Sequence, residues 1–252
     1  MSSCKKIFSV ACLVTLILDT TQAVEGLQLK PDDHIAIVGN GLADRLQHDG
    51  WLETLLQAHL PDRHLVIRNL GFAGDELIAQ MRCDNFGSAD DWLTRTRADV
   101  VFAFFGYNES FARPAGVAKF KQDLVNYIRN LAQHKYNSNT PPRLVLFSPI
   151  GHENLHDPNL PDGVTNNVNL KLYTEAIAEV AKQNGVLFVD LYSPSLALYA
   201  KASKSLTIDG VHLSERGNEE LARVILGGLF PDQKLVPTEQ AALEKLRAAV
   251  LD

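Results

Sequence analysis

Cysteine is scarce. The 252 residues hold three, Cys4, Cys12 and Cys83. Long apolar runs are scarce too. The longest, "IFSVACLVTLIL" from Ile7 to Leu18, is about a dozen residues, while a membrane-spanning helix needs roughly 20. Lys5 and Lys6 precede it and the small-polar stretch "DTTQA" follows. Basic, apolar, then small-polar is the order of a secretory signal peptide. Residues 1–23 are therefore expected to be cleaved after Ala23 and the chain exported, to a periplasm or the medium. An uncleaved anchor or a buried strand is the other reading. Cleavage removes Cys4 and Cys12. The single thiol that remains, Cys83, can close no intrachain disulfide and build no thiolate metal centre. Its neighbours in "AQMRCDNFG" offer no obvious base.

Positive charge is also short. The formal net charge is -6 and no cluster of Lys and Arg stands out, which argues against a nucleic-acid surface. There is no block of like charges, no internal repeat and no low-complexity linker. A hydrophobic fraction of 46% and a charged fraction of 21% suit one soluble domain over residues 24–252.

What is present is an alternation. Apolar runs of strand length occur at residues 34–39, 64–71, 99–106, 143–150 and 186–192. They are near-continuous in β-branched and aromatic residues, as in strands covered on both faces. Helix-period segments fill the gaps: one from the first run through Leu60 with a weak point at Gly50, then Val117–His134, Val168–Gln183 and Glu215–Leu229. A final helix is expected to open at Pro237 and run to about residue 252. Strand–helix alternation on this scale predicts an α/β fold, a five-stranded parallel sheet between two helical layers. Ligands then bind beyond the carboxyl ends of the strands.

The turns at that edge hold the chemistry. "TIDGVHLSERG" sets Asp209 three residues before His212, where a carboxylate can hold an imidazole as a general base. "FFGYNES" sets Asn108 just past the third strand, where an amide can donate to an oxyanion. "NLGFAGDE" sets Gly71 just past the second strand, where a backbone N–H can serve the same atom. "GNG", Gly39 to Gly41, follows the first strand. A turn of this kind often carries a nucleophilic Ser or Cys, and here the candidate position is Gly41.

In that order the blocks resemble an SGNH/GDSL-type hydrolase: "GNG" for the Gly-Asp-Ser block, Gly71, "GYNE" (Gly106–Glu109) and "DGVH" (Asp209–His212). The resemblance spans residues 34 to about 230. It implies a flavodoxin-like α/β/α fold and hydrolysis of acyl or acetyl esters, often of carbohydrates or lipids, with no metal or other cofactor. It makes His212 the base, Asp209 its orienting partner, and Gly71 and Asn108 the oxyanion donors. Asn40, Gly41, Glu109, His152 and Glu153 are the candidate substrate contacts. The departure is the missing serine, whose removal in a triad enzyme costs about six orders of magnitude.

Three readings follow. Water in the room left by Gly41 is activated by His212; Ser110 or Ser148 replaces the nucleophile; or the cleft binds a glycan or acyl group and breaks no bond. "GHENLHDP" also spells H-E-x-x-H with His152, Glu153 and His156. That zinc pattern needs a helix, and the flanking Pro149, Gly151 and Pro158 predict a loop.

Overall fold

The apolar runs build one sheet. The computed structural model describes residues 26–80, 82, 84–234 and 238–252. The predicted signal segment 1–23, Cys83 and Pro237 lie outside them. The strands are β1 (His34–Gly39), β2 (Val66–Asn69), β3 (Val100–Phe104), β4 (Arg143–Phe147) and β5 (Leu187–Val189). All pair in parallel, in the order β2-β1-β3-β4-β5.

The helices are α1 (Gly41–Asp49), α2 (Trp51–His59), α3 (Ala89–Arg95), α4 (Arg113–Gln133), α5 (Val164–Asn184), α6 (Tyr192–Lys201), α7 (Glu215–Leu229) and α8 (Gln240–Leu251). Gly50 has φ +65 and breaks the first helical stretch into α1 and α2.

The period-2 alternation of the strands sorts the core into two layers. Ile35, Ile37, Phe102, Phe104, Val145 and Phe147 pack on one face with Leu46 of α1, Leu55 of α2, Ile225 of α7 and Leu243 of α8. Phe104 and Phe147 stack with ring centroids 4.2 Å apart. Ala36, Val101, Ala103 and Leu146 face the other way, onto Leu124 of α4 and Ile177 of α5. This is the expected three-layer α/β/α arrangement.

Element ends differ from the sequence reading for local reasons. The second run keeps only Val66–Asn69 as strand, because His64 takes a left-handed conformation at φ +50. The fifth run stops at Val189. Oδ1 of Asp190 accepts from the amides of Tyr192 and Ser193 and so opens α6, where the apolar run suggested more strand. Pro114 in its first turn starts α4 earlier than expected. α3 is opened by a reciprocal Ser88–Asp91 capping box.

Strand order positions the site. β1 lies between β2 and β3, so the connections leaving the carboxyl ends of β1 and β3 diverge and open a crevice between them. Gly39 ends β1 at φ +132, where a Cβ would lie 2.1 Å from the Phe104 carbonyl oxygen; only glycine lets the two strand ends approach this closely. The next amide, of Asn40, donates to that same oxygen at 3.1 Å.

Candidate active site

A cavity of about 420 Å3 opens at this crevice. Its floor is the head of α1. Asn40 caps the helix, its Oδ1 accepting from the Leu42 amide at 3.3 Å. Gly41 is the first helical residue and lines the cavity. Its φ is not in the left-handed region, and an added Cβ would meet nothing nearer than Ala73 at 3.9 Å. The turn therefore offers a side-chain position that the sequence leaves empty.

The opposite wall carries Asp209 and His212. Oδ1 of Asp209 accepts from the amides of Val211 (3.0 Å) and His212 (2.8 Å), and Oδ2 lies 2.7 Å from Nδ1 of His212. Burial pushes this carboxyl up. The His212 amide and ring and the Val211 amide outweigh it and hold the group at about 2. An ionised Asp209 keeps the imidazole proton on Nδ1 and leaves Nε2 with its lone pair, the form a general base requires. Beside them Tyr107 lines the wall. Burial, helped by the Asp209 carboxylate, pushes its phenol up and keeps it protonated.

Asn108 also lines the cavity. Its Nδ2 donates to the Asp75 carbonyl at 2.9 Å and reaches the Ala73 carbonyl at 3.3 Å. The second contact is long, so one amide hydrogen is only loosely engaged.

Several expected contacts have other tasks. Gly71, expected as an oxyanion donor, lies outside the cavity lining: its N–H donates to Oδ1 of Asn69 at 2.8 Å, and its Cα lies beneath α1, where a Cβ would stand 2.6 Å from the Asp44 nitrogen. Glu109, expected as a substrate contact, lies outside the cavity lining. Its oxygens accept from the amides of Leu77 (3.0 Å) and Gly106 (2.8 Å), bracing the turn that presents Asn108, and burial pushes its carboxyl up. Glu153 is buried and does not line the cavity. It accepts from the Leu206 and Thr207 amides and from Oγ1 of Thr207 at 2.6 Å. Thr207 Oγ1 in turn accepts from the Gly210 amide, so Glu153 anchors the loop that carries Asp209 and His212.

Neither alternative hydroxyl is a free nucleophile. Ser148 Oγ accepts from the amides of Leu191 (2.8 Å) and Tyr192 (3.0 Å) and donates to the Pro149 carbonyl, tying β4 to α6. Ser110 Oγ donates to the Tyr107 carbonyl at 2.6 Å, and Ser110 lies outside the cavity lining. The H-E-x-x-H segment is loop rather than helix, with His156 at φ +54, so the helical face that the zinc pattern needs is not formed. His152 does line the cavity. It is 3% exposed, and its Nδ1 accepts from Asn166 at 3.0 Å.

The sequence reading missed Arg45, Asn166 and Asn218, which also line the cavity. Arg45 was within reach of it: four residues after Gly41, it shares that helix face. Gly74 was overlooked as well. It sits on the Ala73–Asp75 segment that Asn108 holds, its Cβ direction is open, and its amide has no partner among the described residues.

Residues 35–220 match the GDSL-like lipase/acylhydrolase family. The chain belongs to this family, a group of carboxylic ester hydrolases. Among its GDSL relatives, GDSL esterase/lipase CPRD49 of Arabidopsis thaliana is 24% identical over 190 residues, 71% of each chain. GDSL esterase/lipase WDL1 of Oryza sativa subsp. japonica is 28% identical over 138 residues, 50% of this chain and 53% of that one, so the match spans about half of that relative's length. The fold is similar to that of Axe2, an acetylxylan esterase from Geobacillus stearothermophilus. The TM-score is 0.61 at 15% identity, covering 84% of this chain and 100% of that one. It is also similar to LAE5, an α/β hydrolase enzyme from the metagenome of Lake Arreo, with a TM-score of 0.58 at 16% identity over 80% of this chain and 96% of that one.

Proposed function

We propose that this GDSL-family chain hydrolyses an acetyl or other short acyl ester of a carbohydrate, with water rather than a serine as the nucleophile. The observation that carries the reading is the pairing of a formed Asp209–His212 base, 2.7 Å between Oδ2 and Nδ1, with an open position at Gly41 in the same cavity. Water over Gly41 attacks the ester carbonyl carbon as Nε2 of His212 takes its proton. The carbonyl oxygen becomes the oxyanion. Asn108 and the amides of Gly41 and Gly74 are the donors offered to it. Gly41 is the first residue of α1, where amides lack partners within the helix and the dipole favours negative charge. The tetrahedral adduct then collapses. The imidazolium returns the proton to the departing alkoxide, and acid and alcohol leave. Asp209 stabilises the imidazolium throughout.

The chain is further proposed to be exported. Lys5, Lys6 and the apolar run support this, and protein from the native host should begin near Val24; a full-length N-terminus in a cytoplasmic fraction would refute it. A cavity of about 420 Å3 suits a small-molecule ester, and the similarity of the fold to an acetylxylan esterase supports a carbohydrate as its alcohol.

The test is a panel of acetylated sugars and short-chain aryl esters with residues 24–252, alongside His212→Ala. Hydrolysis abolished by His212→Ala, with no acyl-enzyme mass during turnover, is expected. An acyl adduct on any residue would overturn the water mechanism. Inertness on every ester, together with binding of a deacylated glycan, would leave a binding module in place of an enzyme.

A further inference from the structure

We propose that the cavity contains a carboxylate-binding subsite centred on Arg45, so that the preferred substrate is an ester of an acidic sugar, one carrying a carboxylate beside the acylated hydroxyl. The proposal rests on the hydrolase reading for its substrate, though not for the binding site itself.

Arg45 lines the cavity and forms no ion pair or hydrogen bond among the described residues. Its Nε is fully buried and without an acceptor. Buried donors in folded proteins are nearly always paired, so this one is prepared for a partner the chain does not supply. Two other partly buried arginines do have partners: Arg143 pairs with Asp33, and Arg247 with Glu215.

Position explains what the partner is. Arg45 stands one helical turn after Gly41. Helical side chains lean toward the helix N-terminus, so the guanidinium extends over the turn that carries Gly41. With glycine there, no side chain separates it from the cavity. The head of α1 adds its partial positive charge to the same place. Three carboxylates are near in sequence or space, and none pairs with Arg45. Asp49, one turn beyond it, accepts from Asn218 Nδ2. Asp44 takes Gln47 Nε2 and does not line the cavity. Asp209 has both oxygens engaged by Val211 and His212. A planar guanidinium with free N–H groups suits a carboxylate, which it can bind through two parallel hydrogen bonds.

A second observation points to a sugar around that carboxylate. Asn218 is 2% exposed and lines the same cavity. Its Nδ2 donates to Asp49 Oδ2 and reaches the Ser214 carbonyl, while its Oδ1 has no partner. Asp49 lies on α1 one turn beyond Arg45, which brings Asn218 alongside that helix. His152 presents the complementary case. Asn166 donates to its Nδ1, which places the ring proton on Nε2, and that buried N–H has no acceptor. An unpaired acceptor and two unpaired donors, in a cavity that Asn40, Asn108 and Asn166 also line, match a ligand with hydroxyls and one anionic group.

The experiment uses two monoacetylated methyl glycosides that differ only at C6, a glucosiduronate and a glucoside. Wild type should favour the glucosiduronate in kcat/KM by about 10–100-fold, the range of a charged hydrogen-bonded pair. The ratio should fall to near one in Arg45→Gln and recover in part in Arg45→Lys. Binding of the deacetylated glycosides, followed by NMR titration, separates this proposal from the hydrolase reading. Preferential binding of methyl glucosiduronate that Arg45→Gln removes, without hydrolysis of either ester, supports the subsite and defeats the hydrolase reading. Hydrolysis of both esters at equal rates, with no Arg45-dependent binding difference, overturns the subsite and leaves the hydrolase.

Discussion

A glycine at the head of α1 makes the first test steric. Gly41 has no left-handed φ and an open Cβ direction, so both Ala and Ser fit its backbone. Gly41→Ala puts a methyl where the mechanism places water, and should lower turnover roughly 10–100-fold without loss of thermal stability. Unchanged turnover would show that water is not held there. Gly41→Ser should become labelled at residue 41 by a serine-directed phosphonate, while wild type takes no label there. Asn108→Ala should cost about 10²–10³ in turnover, the usual loss for one oxyanion donor. Equal activity in that variant would remove Asn108 from the site. Asp209 sets a pH expectation. Its carboxyl is held at about 2, below the usual 3.8. The group is ionised in both folded and unfolded chains above about pH 4, and its stabilising contribution is lost as pH falls through about 2. The side chain is 40% exposed, so screening keeps that contribution small. Any acid limb of the rate profile above about pH 3 should therefore come from a group other than Asp209; a limb there that disappears only in Asp209→Asn would refute this. Asp209 and His212 were legible because three residues of spacing close an Asx turn onto the ring. Gly71, Glu109 and Glu153 were not, because a sequence does not say which amide a carbonyl or carboxylate meets.

At the scale of elements, Glu153 shows how a loop after one strand fixes a loop far along the chain. Three donors converge on its buried carboxylate: the Leu206 amide, the Thr207 amide and the Thr207 hydroxyl. Glu153→Ala leaves them unpaired. It should destabilise the protein by roughly 3 kcal/mol and lower kcat more than it raises KM, since the Asp209–His212 loop loses its anchor. Glu153→Gln, which keeps one acceptor, should restore part of both. Equal kcat in wild type and Glu153→Ala would mean that the loop holds its own shape. The five strands and the longer helices were readable because they carry long apolar patterns that only one period fits. α3 was not, since its seven residues bury only Leu93. α6 was hidden because "VLFVDLY" runs apolar through the β5–α6 junction, and only the Asp190 side chain marks the change.

At the scale of the molecule, the segment just after the proposed cleavage point belongs to the core. Leu27 and Leu29 are each 7% exposed and pack in the layer that holds α2, α7 and α8. The Leu27 amide donates to the Leu229 carbonyl at 2.8 Å, fastening this segment to the end of α7. Ser214, two residues after His212, caps α7, so the base stands just before one end of the helix and this fastening lies at the other. Cleavage after Ala23 would leave both leucines in place; trimming to Pro31 would remove them. Burying a leucine is worth roughly 1.5–3 kcal/mol. In a chain of this size each kcal/mol moves Tm by about 2–4 °C. Residues 31–252 should therefore melt on the order of 10 °C below residues 24–252, measured by scanning calorimetry. Leu27→Ala with Leu29→Ala in the longer chain should reproduce most of the drop. If residues 31–252 melt with 24–252, the packing of this segment contributes nothing, and α7 is held by its contacts with α1, α2, α6 and β5.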